Sequence, residues 1–332
     1  MDRRQALRDA LEDLGLVRDY STATAKTICG VDGGYAVERT AAIDLVLGVA
    51  VGVEGLSQAT TQWDGTQYQW WTHVSKHDLE SERLGRGVMV AQELAILTHA
   101  PHELRILDGS HLTLVIQLNS ALTMLSDELR AEARRVWGRL ETPTALADAA
   151  SSPTVIAMPK YDSSRVIADQ LERRLGEQIP GDDKYLLGLL LQPGEATVPQ
   201  QVPQHPWATL HFDARSGDEA LRDSFQDAVK PLTDRAVQFM YFRPAEFSPA
   251  FRVEIKDTLG EPEIDALCTT LSGQMTGPFV REPYPQYLAD VMAKSVGLGL
   301  TALQSAVQLA LSGLGRPEIA ELLLHSYRTE GV

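Results

Sequence analysis

Apolar positions along the chain follow two regimes, one with the period of a strand and one with that of a helix. From residue 4 to 19, charged residues alternate with Leu7, Leu11, Leu14 and Leu16 at helical spacing, which predicts a short amphipathic lead-in helix. Thr27-Ile28-Cys29-Gly30-Val31-Asp32 is β-rich and closes on the turn signal Gly33-Gly34. An apolar run from Ala41 to Val53 and an aromatic, Thr-rich run from Thr60 to Val74 predict two more strands, so the three form an antiparallel meander. The period then changes. Leu84, Val88, Ala91, Leu94, Ala95 and Leu97 share one face of a helix that starts near Leu79 and stops at Pro101.

Leu104-Arg105-Ile106-Leu107-Asp108 reads as a buried strand ending on Asp108-Gly109-Ser110. Further along, the pattern predicts a helix over 121–140, a strand from Thr154 to Met158, an N-cap at Asp162-Ser163-Ser164, and helices over Ser164–Leu175 and Asp183–Leu191. Strands are expected near Trp207–Phe212, Ala236–Phe242 and Phe251–Ile255, with helices over most of 262–272 and 286–328. No internal repeat and no long linker divides the chain, so one domain spans 1–332, with 1–20 as lead-in and 285–332 as closing helices. Three leading strands, a helix and a fourth strand ending in an acid predict an α/β layer fold around a mixed sheet flanked by helices. That is also the element order of a ribonuclease H-like core.

Composition narrows the class. With 44% hydrophobic residues the 332-residue chain builds a substantial core, and collagen-like, coiled-coil and low-complexity readings are excluded. Cys29 and Cys268 are the only cysteines, too few for a disulfide framework or a cysteine zinc cluster, and the reading is intracellular, in the cytoplasm. The N-terminus lacks an apolar signal-peptide core. The most apolar stretch, Val296 to Leu314, is broken by Gln304, Ser305, Gln308 and glycines, and is read as a buried helix rather than a membrane span. A formal charge of −15 weighs against an unaided duplex binder, although bound metal or a basic partner can supply the missing charge.

Asp32 and Asp108 each end an apolar strand and precede glycine. Singly, each reads as an Asx turn or cap; as a pair they point to a shared site. Glu93 stands among Val90, Ala91, Leu94 and Ala95. It either lies at the polar edge of its helix or points inward, where it requires a proton or a cation. Three converging carboxylates suit hard divalent cations such as Mn²⁺ or Mg²⁺, and two such ions catalyse phosphodiester hydrolysis. No P-loop and no Gly-x-Ser-x-Gly elbow occurs, so NTPase and serine hydrolase readings lack support, and a zinc peptidase is set aside with them.

A series of fragments resembles the NurA family of 5′-3′ nucleases. They are Gly30-Val31-Asp32-Gly33-Gly34, Glu93 on its helix, Leu107-Asp108-Gly109-Ser110, Met158-Pro159-Lys160-Tyr161-Asp162-Ser163-Ser164, Leu190-Leu191-Gln192-Pro193-Gly194-Glu195, Phe251-Arg252-Val253-Glu254-Ile255, and Pro283-Tyr284-Pro285 with Leu288-Ala289-Asp290. The resemblance covers nearly the whole chain. It implies a ribonuclease H-like fold, two Mn²⁺ or Mg²⁺ ions held by Asp32, Glu93, Asp108 and Asp290, a homodimer, and a hexameric HerA-type translocase as partner in DNA end processing or phage defence. Lys160 matches a basic position of the family, placed to meet a phosphate. The chain departs from the pattern at Glu282, where many members have Tyr, and at Asp290, where many have His.

Other candidates keep two readings. Arg252 and Glu254 form an ion pair on one strand face or contact DNA. Tyr68, Trp70 and Trp71 pack in the core or an interface, or stack on unpaired bases. Arg130, Arg134, Arg135 and Arg139, near Glu132, form a solvated helix face or line a channel. His102, His111, His205, His211 and His325 are scattered and read as surface or capping residues. The leading reading is a metal-dependent DNA nuclease; the alternatives are a catalytically weak adaptor that caps the translocase ring, and a ribonuclease of related chemistry.

Overall fold

The computed structural model describes residues 3–40, 43–56, 63, 67–202, 211–233 and 237–313. Strands β1 (Val17–Asp19), β2 (Ile28–Arg39), β3 (Ile43–Glu54), β4 (Tyr68–Lys76), β5 (Leu104–Asp108), β6 (Val155–Met158), β7 (Glu195–Thr197), β8 (Gln200–Gln201), β9 (Val237–Arg243) and β10 (Phe251–Lys256) make one mixed sheet. Its order is β1-β7-β9-β10-β6-β5-β2-β3-β4, with β8 paired to β9. The meander β2-β3-β4 is antiparallel as expected, and β5 and then β6 join the other side of β2 in parallel. This is the ribonuclease H-like arrangement, extended by antiparallel β10, β9, β7 and β1.

Helices α1 (Arg3–Asp13), α2 (Ser81–His99), α3 (His111–Leu122), α4 (Asp127–Arg139), α5 (Thr142–Ser151), α6 (Val166–Leu175), α7 (Asp183–Leu190), α8 (Glu219–Ala228), α9 (Lys230–Thr233), α10 (Glu261–Ser272), α11 (Tyr284–Lys294) and α12 (Val296–Gly313) cover the sheet. Leu84, Val88, Ala91 and Leu94 of α2 share a core with Val31, Val46 and Leu107, and α3, α4, α5 and α8 close around it. On the opposite face, Ile264, Leu267 and Leu271 of α10 pack on Ile106, Ile156 and Val253, while α11 lies along β2.

Several expectations change. Gly33-Gly34 is no turn, because β2 runs on to Arg39. The glycines instead admit close neighbours: a Cβ at Gly33 would stand 2.5 Å from Glu93 Oε1, and one at Gly34 2.5 Å from the Ala293 carbonyl oxygen. The lead-in helix ends at Asp13, Gly15 turns the chain at φ +63°, and residues 17–19 pair with β7. The span 121–140 is not one helix, since α4 starts only after Ser126, whose hydroxyl accepts from the Leu129 amide; α3 and α5 flank it. The expected N-cap at 162–164 does not cap α6 with its own side chains. Asp183 does so from a distance, accepting from the Ile167 and Ala168 amides at 3.1 and 2.8 Å.

The apolar helix α12 is not buried. Leu300 anchors it on Leu45 and Leu47, but Leu309 is 76% exposed. Among the described residues no helix is long and apolar enough to cross a membrane. His211 and Phe212 lie outside any strand, and β7 and β8 were not foreseen. Trp207–Leu210, Ala236, His205, His325, residues past 313 and parts of the 41–53 and 60–74 runs lie outside the described residues.

Candidate metal centre

Asp32 stands in mid-strand on the face of β2 covered by α11, and Asp108 ends the neighbouring β5 before Gly109, which turns at φ +102°. Asp290 comes down from α11, whose close seat on β2 depends on Gly30: a Cβ there would lie 2.7 Å from the Gln286 nitrogen and the Pro285 carbonyl carbon. Oxygens of Asp32, Asp108 and Asp290 consequently gather within 4.8 Å of one another. Glu93 is not one of these three. It is buried and inward-facing, under Gly33 from the α2 side, and its charge acts on Asp32.

Lys160 follows β6 and places its ammonium among the acids, 2.8 Å from Asp108 Oδ2, 2.5 Å from Asp290 Oδ1 and 3.6 Å from Glu282 Oε2. Burial, then the nearby charges of Asp108 and Glu93, push the Asp32 carboxyl up to about 9; Lys160 only partly offsets them. Burial and Asp108 push Glu93 up to about 8, against a hydrogen bond from Gly33. Burial works to lower the Lys160 pKa, but Asp108, Asp290 and Glu282 outweigh it and raise it. Asp290 is lowered: burial opposes, while Lys160 and Lys294, the latter at 2.6 Å, hold it ionised.

Two more residues serve this cluster. Gln286 donates from Nε2 to Asp108 Oδ1 at 2.8 Å and to the Met158 carbonyl at 3.1 Å, and Lys184 donates to the Lys160 carbonyl at 2.6 Å. Gln286 precedes Asp290 by one helical turn, a sequence signal that could have found it. Lys184 carries no such signal.

No protein-family model and no curated protein matches the chain. Solved structures do. The NurA nuclease from Sulfolobus solfataricus is similar at TM-score 0.56 and 14% identity, over 92% of each chain. A second NurA structure gives 0.56 and 12% over 96% of each chain, and NurA with manganese gives 0.54 and 14%, over 91% of this chain and 96% of that one. The chain has the NurA fold.

Within this NurA fold the remaining candidates separate. Arg252 and Glu254 do pair, at 3.2 Å, both buried on β10. The aromatic strand divides by alternation: Trp71 is buried and donates to Glu132 at 2.8 Å, whereas Tyr68 and Trp70 are 60% and 64% exposed. Arg130 is no solvated residue; it is buried against Asp218, which Arg134 shares. Arg135 pairs with Glu132 at 2.5 Å, and with Arg139 it borders a 480 Å³ groove along Tyr68–Thr72. His102 is buried 3.2 Å from Glu54, and His111 is buried on Glu254 at 3.3 Å, so neither is a surface residue. Exposed His211 pairs with Asp213 at 3.0 Å. His73 and His77 stand four apart, a spacing that pairs ligands on a helix, but here His73 lies on β4 and stacks on Trp71, while His77 follows the strand and binds Asp44.

Proposed function

We propose that this chain is a divalent-metal-dependent nuclease that hydrolyses DNA phosphodiester bonds. The observation that carries the reading is the convergence of Asp32, Asp108 and Asp290 beside Lys160, on a fold shared with NurA nucleases, one of them crystallised with manganese. The donors fit a hard ion. All are carboxylate oxygens, and the burial, joined by the charges of Asp108 and Glu93, that pushes Asp32 up to about 9 is a penalty on the ionised form that a divalent cation relieves. Asp32, Asp108 and Asp290 would hold Mn²⁺ or Mg²⁺, and Glu93 would add charge from behind, enough for two ions. When bound, such ions supply Lewis acidity that favours hydroxide as nucleophile and offsets charge on the phosphate.

The chain's own groups divide the remaining work. Lys160 turns its ammonium from the carboxylates to a phosphate oxygen, neutralising charge as it develops. Gln286 fixes the orientation of Asp108 from outside the cluster. Asp290, kept ionised by two lysines, serves as an oxygen ligand and not as an acid. A charge of −15 disfavours DNA, so a hexameric HerA-type translocase presents the strand, in DNA end processing or phage defence in the cytoplasm, to a homodimer of this single-domain chain. The exposed aromatics of β4 and the apolar surface of α12 support the dimer.

A second reading, an adaptor that caps the translocase, is favoured by Lys160 and Lys294 already neutralising Asp290. Degradation of end-labelled linear DNA with Mn²⁺, Mg²⁺ or EDTA separates the two. Asp32→Asn and Asp108→Asn are expected to lower metal-dependent cleavage by roughly 10²–10³-fold or more. If wild type cleaves under no condition, with or without the translocase, yet still assembles with it, the adaptor reading stands.

A further inference from the structure

Behind the acidic cluster, two side chains of β10 reach two different loops. Glu254 is buried and accepts from Ser110 Oγ at 3.0 and 2.9 Å, from the His111 amide at 3.1 Å and from His111 Nδ1 at 3.3 Å. It thereby holds the turn that follows Asp108 and the start of α3. Arg252, two residues earlier on the same strand face, donates from Nη1 to Asp162 at 3.1 Å and from Nη2 to Glu254 at 3.2 Å. Its guanidinium lies 4.3 Å from the centre of the Phe239 ring. Asp162 also accepts from the Tyr241 hydroxyl and, at 2.9 Å, from the Ser164 amide, which fixes the segment after β6 that carries Lys160. Each loop is thus tied to one member of a single buried ion pair.

We propose that Arg252 and Glu254 are positioning residues, a clamp that sets the Asp108 loop and the Lys160 loop against each other and so maintains the 2.8 Å contact between Asp108 and Lys160. The clamp acts from the sheet face opposite the carboxylates and touches no reacting atom. Both charges are buried, so removing one leaves the other with its loop contacts but without its opposite charge on the strand, and both loops feel the loss. The part of the inference that concerns metal and cleavage rests on the nuclease reading; the coupling of the two loops does not.

The test compares full-length Glu254→Gln and Tyr241→Phe with wild type, the second deleting one hydroxyl while keeping the ring. Hydrogen exchange reads the loops directly. Glu254→Gln is expected to speed exchange at His111 and also at Ser164, and Tyr241→Phe at Ser164 and also at His111. Acceleration confined to the mutated side in both variants overturns the clamp. Should Glu254→Gln fail to fold, Tyr241→Phe alone decides the matter. Mn²⁺ affinity by calorimetry and kcat on DNA are expected to drop about 10–100-fold with KM unchanged, whereas a merely structural role lowers Tm and leaves both in place. Wild type that neither binds Mn²⁺ nor cleaves DNA defeats the nuclease reading, and exchange still judges the clamp.

Discussion

Asp32 and Glu93 are protonated in the folded chain at neutral pH and ionised in the unfolded one, because burial and the charge of Asp108 hold them up at about 9 and about 8. Their folded values lie above the unfolded ones, so their contribution to stability is full below roughly pH 4 and is lost as pH rises through about 8 to 9. In EDTA the Tm of wild type is expected to fall across that window. Asp32→Asn cannot ionise and should melt a few degrees above wild type near the alkaline end. A divalent ion draws on the same free energy in the opposite sense, since binding must expel these protons. Mn²⁺ affinity is therefore expected to rise with pH up to about 9, with proton release measurable by calorimetry in buffers of different ionisation enthalpy. Affinity that ignores pH would remove Asp32 from the binding set.

At the scale of elements, the glycines of β2 set the separation between sheet and helices. Gly30→Ala drives a Cβ into the backbone of Pro285 and Gln286 at 2.7 Å, and α11 with Asp290 must lift away. We expect a loss of about 1–3 kcal/mol in urea unfolding and weaker Mn²⁺ binding. Gly138→Ala, in α4 with nothing within 4 Å, is expected to gain about 0.5–1 kcal/mol instead. Equal effects at the two positions would deny the close approach. The same glycines show where the sequence was legible and where it was not. Period alone located β2, α2, β5 and the acids Asp32 and Asp108, because an apolar run that ends on Asp-Gly is a local signal. Gly33-Gly34 misled, since glycine marks both turns and close approaches, and only the helix lying on β2 decides between them. Asp290 came from a family pattern, not from local chemistry. Lys184 was missed because the packing of α7, and not a local pattern, brings it to the Lys160 carbonyl, and the clamp of Arg252 and Glu254 went unread because sheet order sets β10 beside β6, which no local window contains.

For the whole molecule, charge and exposed apolar surface pull in opposite directions. Each chain carries −15, so a dimer concentrates like charge, and DNA meets that same charge. Tyr68, Trp70 and Val74 share one exposed face of the edge strand β4, and Leu309 projects from α12, an apolar surface of the kind that marks an interface. Sedimentation is expected to report twice the 36.4 kDa chain mass for wild type, and a shift toward 36.4 kDa for Trp70→Glu or Leu309→Glu. Salt separates the two forces. Screening at about 0.3 M weakens repulsion between acidic copies and leaves apolar burial intact, so dimerisation should tighten with salt. Contacts between Lys or Arg and phosphate lose affinity steeply over the same range, so DNA binding should weaken. A wild-type chain that sediments as a monomer at tens of micromolar in both salts would show that these apolar faces serve another partner.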